Sequence, residues 1–228
     1  MATNLDLEEQ EQLDALKHFW KQWGNLITWV LIVALGAYAA YTGWNYWQRN
    51  QAIQASMLYD EAERAIASGD LPRIERVLAD MKDKYGGTTY AAQTALSVAK
   101  VLYEKGKPTE AKAALGWVAE KAPDDGLKAT ARLRLASVLT GEKAYDEALK
   151  QLAGSFPAEF VPLAADRRGD ALLLQGKRAE AATEFGKAYQ GLEKLGANEY
   201  RRLVGIKLNA LGIDPDLASS AGKPGDKA

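Results

Sequence analysis

The chain lacks cysteine altogether and has a single histidine, His18, near its amino terminus. Without cysteine there is no disulfide scaffold, no thiolate metal site and no thiol nucleophile. Because the residues after His18 contain no imidazole, the usual base for a serine nucleophile is also missing. The sequence therefore predicts no metal ion, no other cofactor and no hydrolase of the serine or cysteine type.

A strong excess of either charge is missing as well, since the net charge is −1. Residues 1–21 form an acidic head with five acidic and two basic side chains, a net charge of −3, so the rest of the chain carries +2. Binding to a phosphate backbone requires Lys and Arg clustered on one surface. The composition therefore argues against a nucleic-acid partner.

No charged residue occurs between Lys21 and Arg49. As a helix, Gly24 to Trp47 would be about 36 Å long, enough to cross a hydrocarbon core of ~30 Å. Aromatic residues, which favour membrane interfaces, flank both ends of this stretch. They are Phe19, Trp20 and Trp23 at one end and Trp44, Tyr46 and Trp47 at the other. These features predict one transmembrane helix over residues 22–48.

Two other interpretations of this segment compete with a membrane anchor. A buried helix of a soluble protein explains neither the length nor the two groups of aromatic residues. A cleavable signal peptide is the closer alternative, because Lys17 and Lys21 precede the apolar run and Ala37-Tyr38-Ala39 resembles a cleavage site. Against cleavage, the preceding region is long and acidic, and the apolar stretch continues to Trp47.

The charged residues that flank the segment hardly determine its orientation in the membrane. Lys17 and Lys21 on one side nearly balance Arg49 and Arg64 on the other, so charge only slightly favours an amino terminus inside the cell. Within the segment three small residues are spaced four and three apart on one helix face, where a second transmembrane helix can approach closely. They are Gly36, Ala40 and Gly43; small residues are also common in such helices without a partner.

From Gln51 onward apolar residues recur three and four apart, which predicts an all-α domain over residues 49–212. Glycines mark a regular period, with separations of 37, 35 and 35 residues. They are Gly69, Gly106, Gly141 and Gly176. A period near 35 is typical of stacked helix pairs. Pro108 suits the first turn of a helix, and Asp70, Asp124 and Asn198 are expected to cap helix starts.

Three units resemble the tetratricopeptide repeat, in which small residues occur where two helices touch. In the third unit Gly169 and Ala181 occupy these positions. The first unit has Ala99 and Ala111, and the second has Ala136 and Ala148. In the second unit Gly141 comes two residues early, so we expect an irregular turn there. Residues 53–86 and 198–212 are expected to cap the stack, and residues 213–228 to form a disordered tail.

A stack of helix pairs offers a concave surface built from the first helix of each pair, and such surfaces bind other molecules. The repeat alignment directs eight side chains toward it: Gln93, Lys100, Tyr103, Thr130, Ser137, Asp166, Asp170 and Leu173. This lining lacks the Lys and Asn set with which tetratricopeptide clamps hold carboxylate tails. We therefore expect an extended or partly folded polypeptide as the ligand.

Asp166 and Asp170 are also the best candidates for acid–base chemistry, because they lie four apart on one helix face. With Arg167 and Arg168 nearby, a solvated surface explains them more simply than catalysis. An enzyme acting on cell-wall material stays as the competing class, and replacing both aspartates by asparagine would reveal it. The absence of every usual catalytic set favours a protein without enzymatic activity.

Several strings, together with the order of parts, resemble the YfgM-like ancillary subunits of the bacterial SecYEG translocon. They are Gly43-Trp44-Asn45-Tyr46-Trp47, Leu127-Lys128-Ala129 with Arg132-Leu133-Arg134-Leu135-Ala136, and Ala165-Asp166-Arg167-Arg168-Gly169-Asp170-Ala171-Leu172. The resemblance covers almost the whole chain as far as Leu211. The polar tail beyond Leu211 and the irregular second repeat depart from the family.

The resemblance implies a bacterial inner-membrane protein with a cytoplasmic amino terminus and periplasmic repeats. It also implies association with the SecYEG translocon and with a membrane-anchored periplasmic chaperone, with newly secreted polypeptides as clients. A membrane-tethered scaffold for assembly of another cell-envelope complex is the alternative, and only the identity of the partners separates the two.

Overall fold

The computed structural model describes residues 7–215, with side chains from residue 11 onward. Over this range helices joined by short connections form the fold and there is no strand, which confirms the all-α fold class. The helices are α1 (Leu7–Ser68), α2 (Leu71–Tyr85), α3 (Thr89–Glu104), α4 (Pro108–Lys121), α5 (Asp125–Gly141), α6 (Tyr145–Leu152), α7 (Val161–Leu174), α8 (Arg178–Lys194) and α9 (Asn198–Ala210).

Helix α1 is 62 residues long and includes the whole apolar segment. It is long and apolar enough to cross a membrane, and its most apolar stretch of 18 residues contains no buried residue. Trp29 and Leu35 are 61% and 66% exposed, respectively, so the alternative of a buried core helix is wrong. The helix passes both expected boundaries, at residues 21 and 48, without interruption. The chain divides into two compact units, Met1–Gln51 and Ala52–Ala228.

Three of the four periodic glycines end a helix as expected. Gly69, Gly106 and Gly176 have φ values of 69°, 74° and 85°, a backbone conformation that a residue with a Cβ rarely adopts. The second repeat differs, because Gly141 is the last residue of α5 and Lys143 takes the positive φ of 64° instead. The irregular turn predicted there is confirmed.

The predicted helix starts are confirmed at two of three aspartate or asparagine positions. The Asp70 carboxylate accepts a hydrogen bond from the Arg73 amide at 3.1 Å, and that of Asp124 accepts one from the Leu127 amide at 2.9 Å. The prediction for Asn198 is wrong: this residue is already the first of α9, Ala197 is the N-cap and no side chain caps the helix. Pro108 is the first residue of α4, as expected.

The helix pairs α3/α4, α5/α6 and α7/α8 pack through the small residues that the repeat pattern identified. Ala99, Ala111, Ala136, Ala148 and Ala181 are all at most 2% exposed. Gly169 on α7 is also buried, and a Cβ built there would lie 2.5 and 2.9 Å from Phe185 Cδ1 and Cζ on α8. Only glycine lets α7 approach α8 this closely.

Both ends of the stack carry extra helices, as predicted. At the amino-terminal end the second half of α1 and α2 contribute Ala65, Ile74 and Leu78 to the main core. At the other end Val204 and Leu208 of α9 join a second core with Phe185. The disordered tail predicted from residue 213 does not begin there, because Ile213 packs against this second core. Residues 216–228, like residues 1–6 of the acidic head, lie outside the described part of the chain.

Candidate polypeptide-binding face

The first helices of the three repeat pairs are neighbours in space. Helix α3 contacts α5, and α5 contacts α7. Of the second helices, α4 packs against both α3 and α5, α6 against both α5 and α7, and α8 against α7 and α9. The side chains that α3, α5 and α7 leave uncovered therefore form one surface, which we call the α3–α5–α7 face. It corresponds to the surface that the repeat pattern predicts for binding.

A first pocket of about 550 Å³ opens on this face between α3 and α5. Its exposed lining is Lys100, Tyr103, Glu104, Arg134 and Ser137. The Tyr103 ring is 45% exposed, and its hydroxyl lies 3.2 Å from the place where a Cβ of Gly141 would be. Gly141 thus leaves room for the Tyr103 side chain rather than turning the chain. The pocket combines one aromatic ring with charges of both signs.

A second pocket of about 490 Å³ opens between α5 and α7. It is lined by Ser137, Thr140, Arg167, Asp170, Leu173 and Leu174. Ser137 belongs to both pockets, so the two adjoin along the face. The hydroxyls of Ser137 and Thr140 donate to the carbonyls of Leu133 and Ala136 in their own helix. The ion pairs and apolar side chains of this pocket are therefore its available recognition elements.

Five of the eight predicted residues line these pockets: Lys100, Tyr103, Ser137, Asp170 and Leu173. Gln93 is exposed on α3 but lines neither pocket. Thr130 is half-buried and donates its hydroxyl to the Gly126 carbonyl. The sequence reasoning missed five lining residues: Glu104, Arg134, Thr140, Arg167 and Leu174. Helical spacing contained the signal, since Arg167 and Leu174 are three residues before and four after Asp170 on the same helix side.

The prediction that Asp166 faces solvent is wrong. Its carboxylate is fully buried, accepting hydrogen bonds from the Tyr200 hydroxyl and the Lys207 ammonium, each at 2.7 Å. Arg167 Nη1 lies 3.3 Å from it. Lys207 also contacts Asp170 at 2.6 Å, and Asp170 is 30% exposed. The four charges balance, so this cluster fastens α9 to α7.

Two further details of this cluster argue against acid–base chemistry. Burial, reinforced by the hydrogen bond to Asp166 and its charge, raises the pKa of Tyr200 well above its usual range. The phenol therefore stays a hydrogen-bond donor at neutral pH. Arg168, which the sequence places next to the aspartates, pairs instead with Glu184 on α8 at 2.6 Å. Among the residues that the structure describes, no group of acidic or imidazole side chains is arranged to hold a metal ion.

The three small residues of the apolar segment lie within α1. A Cβ added to Gly36 or Gly43 would meet no atom within 4 Å, so these positions are open. The Ala40 position shares their helix face by its spacing alone. A contact between this face and another transmembrane helix stays a prediction.

Known proteins similar to this chain fall into one group. A family model described as a tetratricopeptide repeat-like domain matches residues 17–213. A protein of Neisseria gonorrhoeae named "Ancillary SecYEG translocon subunit" is 32% identical over 210 residues, covering 90% of this chain and 98% of its own. Proteins of the same name from Escherichia coli and Haemophilus influenzae are 32% and 29% identical, over 78% and 90% of this chain and 86% and 98% of their own. No solved structure matches significantly.

Proposed function

Because the chain belongs to the family of ancillary SecYEG translocon subunits, we propose that it is a non-enzymatic, membrane-anchored interaction protein of the bacterial translocon. In this function α1 crosses the inner membrane and stays uncleaved, and the repeat domain receives secreted polypeptides as they leave the channel. The α3–α5–α7 face carries the proposal, since two adjoining pockets open along it.

The chemistry of the face suits many client sequences. Tyr103 and Leu173 offer apolar surface to large side chains, whereas Lys100 and Glu104 in one pocket and Arg167 and Asp170 in the other offer both charges. An extended polypeptide that crosses α3, α5 and α7 would place side chains in both pockets. Exposed pairs of opposite charge contribute little affinity, so binding should be weak and mainly apolar.

Removing the apolar part of the face tests client binding. Leu174 lines the second pocket and is 60% exposed. We expect the double variant Tyr103→Ala, Leu174→Ala to bind an unfolded secretory polypeptide about tenfold more weakly, because covering these two side chains should contribute roughly 1.4 kcal/mol or more. Fluorescence anisotropy of a labelled client, with the full chain in detergent, measures the change. Leu195→Ala is the matched control, since Leu195 is 48% exposed and lines neither pocket. Equal affinity in all three proteins would disprove the binding role of the face.

The proposed topology places the amino terminus in the cytoplasm and the repeats in the periplasm. In spheroplasts with an amino-terminal epitope, added protease should remove the repeat domain and leave a short tagged fragment that contains the span. A cytoplasmic marker protein must survive the same treatment. Protection of the full-length chain, with digestion only after lysis, would reverse the topology and remove the role in secretion.

The proposed partners are the SecYEG translocon and a membrane-anchored periplasmic chaperone to which clients pass. Mild crosslinking in intact cells, followed by isolation of the chain from membranes, should recover translocon subunits together with such a chaperone. Recovery of another envelope complex in their place would instead support the alternative of an assembly scaffold. Translocon subunits without any chaperone would keep the translocon association and discard the transfer step.

A further inference from the structure

The first pocket of the α3–α5–α7 face contains a guanidinium without a carboxylate partner. Arg134 Nη1 donates a hydrogen bond to the Leu96 carbonyl of α3 at 3.3 Å, which holds the side chain across the groove between α3 and α5. Among residues 11–215, whose side chains the structure describes, Arg134 forms no ion pair. A guanidinium carries several N–H donors in a planar fork, so most of those on Arg134 stay available to a ligand.

The two pockets of the face differ in charge. The first has two cations, Lys100 and Arg134, and one carboxylate, Glu104, which gives a net charge of +1. Glu104 lies 3.9 Å from Lys100, so the uncompensated charge is on Arg134. In the second pocket Arg167 belongs to the cluster at α9 whose four charges balance. An acidic client side chain therefore finds an unneutralised cation in the first pocket and none in that cluster.

An exposed aromatic ring lies at the other end of the same groove. Tyr103 on α3 is 45% exposed and reaches the position of Gly141 on α5. In α3, Leu96 precedes Tyr103 by seven residues. In α5, Arg134 precedes Gly141 by the same number. At a rise of ~1.5 Å per residue, the guanidinium and the ring are therefore about 10 Å apart along the groove.

This separation matches the repeat of an extended polypeptide. Two side chains that are three residues apart in an extended chain are separated by about 10 Å. In the polyproline II conformation they also point to the same side, because this helix has about three residues per turn. One short extended segment can thus place one side chain on Tyr103 and another at Arg134.

We propose that the α3–α5–α7 face selects client segments in which an acidic side chain lies three residues from a large apolar one. The carboxylate binds Arg134, and the apolar side chain packs on Tyr103. This selection rests on the proposed function, because it concerns the same face and the same clients. The carboxylate belongs to a side chain rather than to a chain end, since a polypeptide that is leaving a channel presents internal segments before its carboxyl terminus.

Labelled synthetic peptides with an amidated carboxyl terminus test the selection. One carries Phe and, three residues later, Glu among small residues, and its twin has Gln in place of Glu. With the full chain in detergent, fluorescence anisotropy should show about fivefold tighter binding of the Glu peptide, as expected for a partly exposed ion pair. The preference should disappear in Arg134→Gln. It should persist in the control Arg76→Gln, because Arg76 is exposed on α2 and lines neither pocket.

A charge swap keeps the test decisive even where loss of the guanidinium disturbs the groove. Arg134→Glu should reverse the preference, so that a third peptide with Lys in place of Glu binds this variant more tightly than the Glu peptide does. A preference for Glu that survives in Arg134→Gln would overturn the assignment to this residue. If the Gln peptide with a free carboxyl terminus binds as tightly as the amidated Glu peptide, the ligand is a chain end and the proposal is wrong.

The variant Tyr103→Ala, Leu174→Ala separates failure of this selection from failure of client binding. Equal affinity of the wild-type chain for the Glu and Gln peptides would overturn the selection. If the double variant then binds both peptides more weakly, the face still binds clients, but without regard to acidic side chains. If the double variant binds both peptides as the wild-type chain does, the proposed client-binding role of the face fails as well.

Discussion

Gly169→Ala is expected to lower the free energy of unfolding by about 2 kcal/mol, although alanine is the better helix former by ~1 kcal/mol. A Cβ at this position would lie 2.5 Å from Phe185 Cδ1, and Phe185 is fully buried. Because the ring is packed inside the core, relieving this contact requires α7 and α8 to separate or the side chains around Phe185 to shift. Urea-induced unfolding of the full chain, followed by circular dichroism, measures the loss.

Gly186→Ala provides a matched control on the partner helix. Gly186 lies within α8, and a Cβ added there would meet no atom within 4 Å. The same chemical change should therefore stabilise the protein by up to about 1 kcal/mol, because alanine reduces the entropy of the unfolded chain. The two variants thus differ in sign. Equal effects would show that helix propensity, and not the close approach of α7 to α8, governs Gly169.

Asp166→Ala is expected to cost about 2 to 3 kcal/mol of unfolding free energy. Removing one member of a buried ion pair leaves the partner without compensation, which costs roughly 3 to 5 kcal/mol in a fully buried site. The expected loss of unfolding free energy is smaller here, because Lys207 is 31% exposed and keeps its contact with Asp170 at 2.6 Å. Asp170→Asn, which changes a 30% exposed carboxylate of the same cluster, should cost less than about 1 kcal/mol.

The titration of Tyr200 separates loss of this cluster from a general loosening of the fold. Its raised pKa means that its stabilising contribution is complete below the usual tyrosine pKa of about 10 and is lost as pH rises through the higher folded value. In the Asp166→Ala variant the pKa of Tyr200 should fall only part of the way toward its usual value, because burial is the larger cause of the shift. Ultraviolet difference titration against a Tyr200→Phe variant measures it. An unchanged titration would disprove the coupling to Asp166.

Much of the site could be predicted because helix phase is a local property. Gly176 marks the end of α7, and helical spacing counted from it predicts that Asp170 and Leu173 lie on the exposed side of this helix. Both residues line the second pocket. Asp166 has the same phase, yet it is covered, because Tyr200 and Lys207 reach it from 34 and 41 residues later in the chain. No period within α7 contains that information.

Structural features that depend only on residues close together in the sequence could be predicted from the sequence alone. A long stretch without charge predicts a span because ionised groups are costly in hydrocarbon, and glycines that take a positive φ mark helix ends because a Cβ opposes that conformation. Contacts between residues that are far apart in the sequence became known only from the tertiary structure. Gly141 is such a case: its place in the sequence resembles a turn, but the Tyr103 side chain occupies the space beside it, and Lys143 reverses the chain instead. Packing, which joins residues from separate helices, assigns each side chain to the core or to the surface.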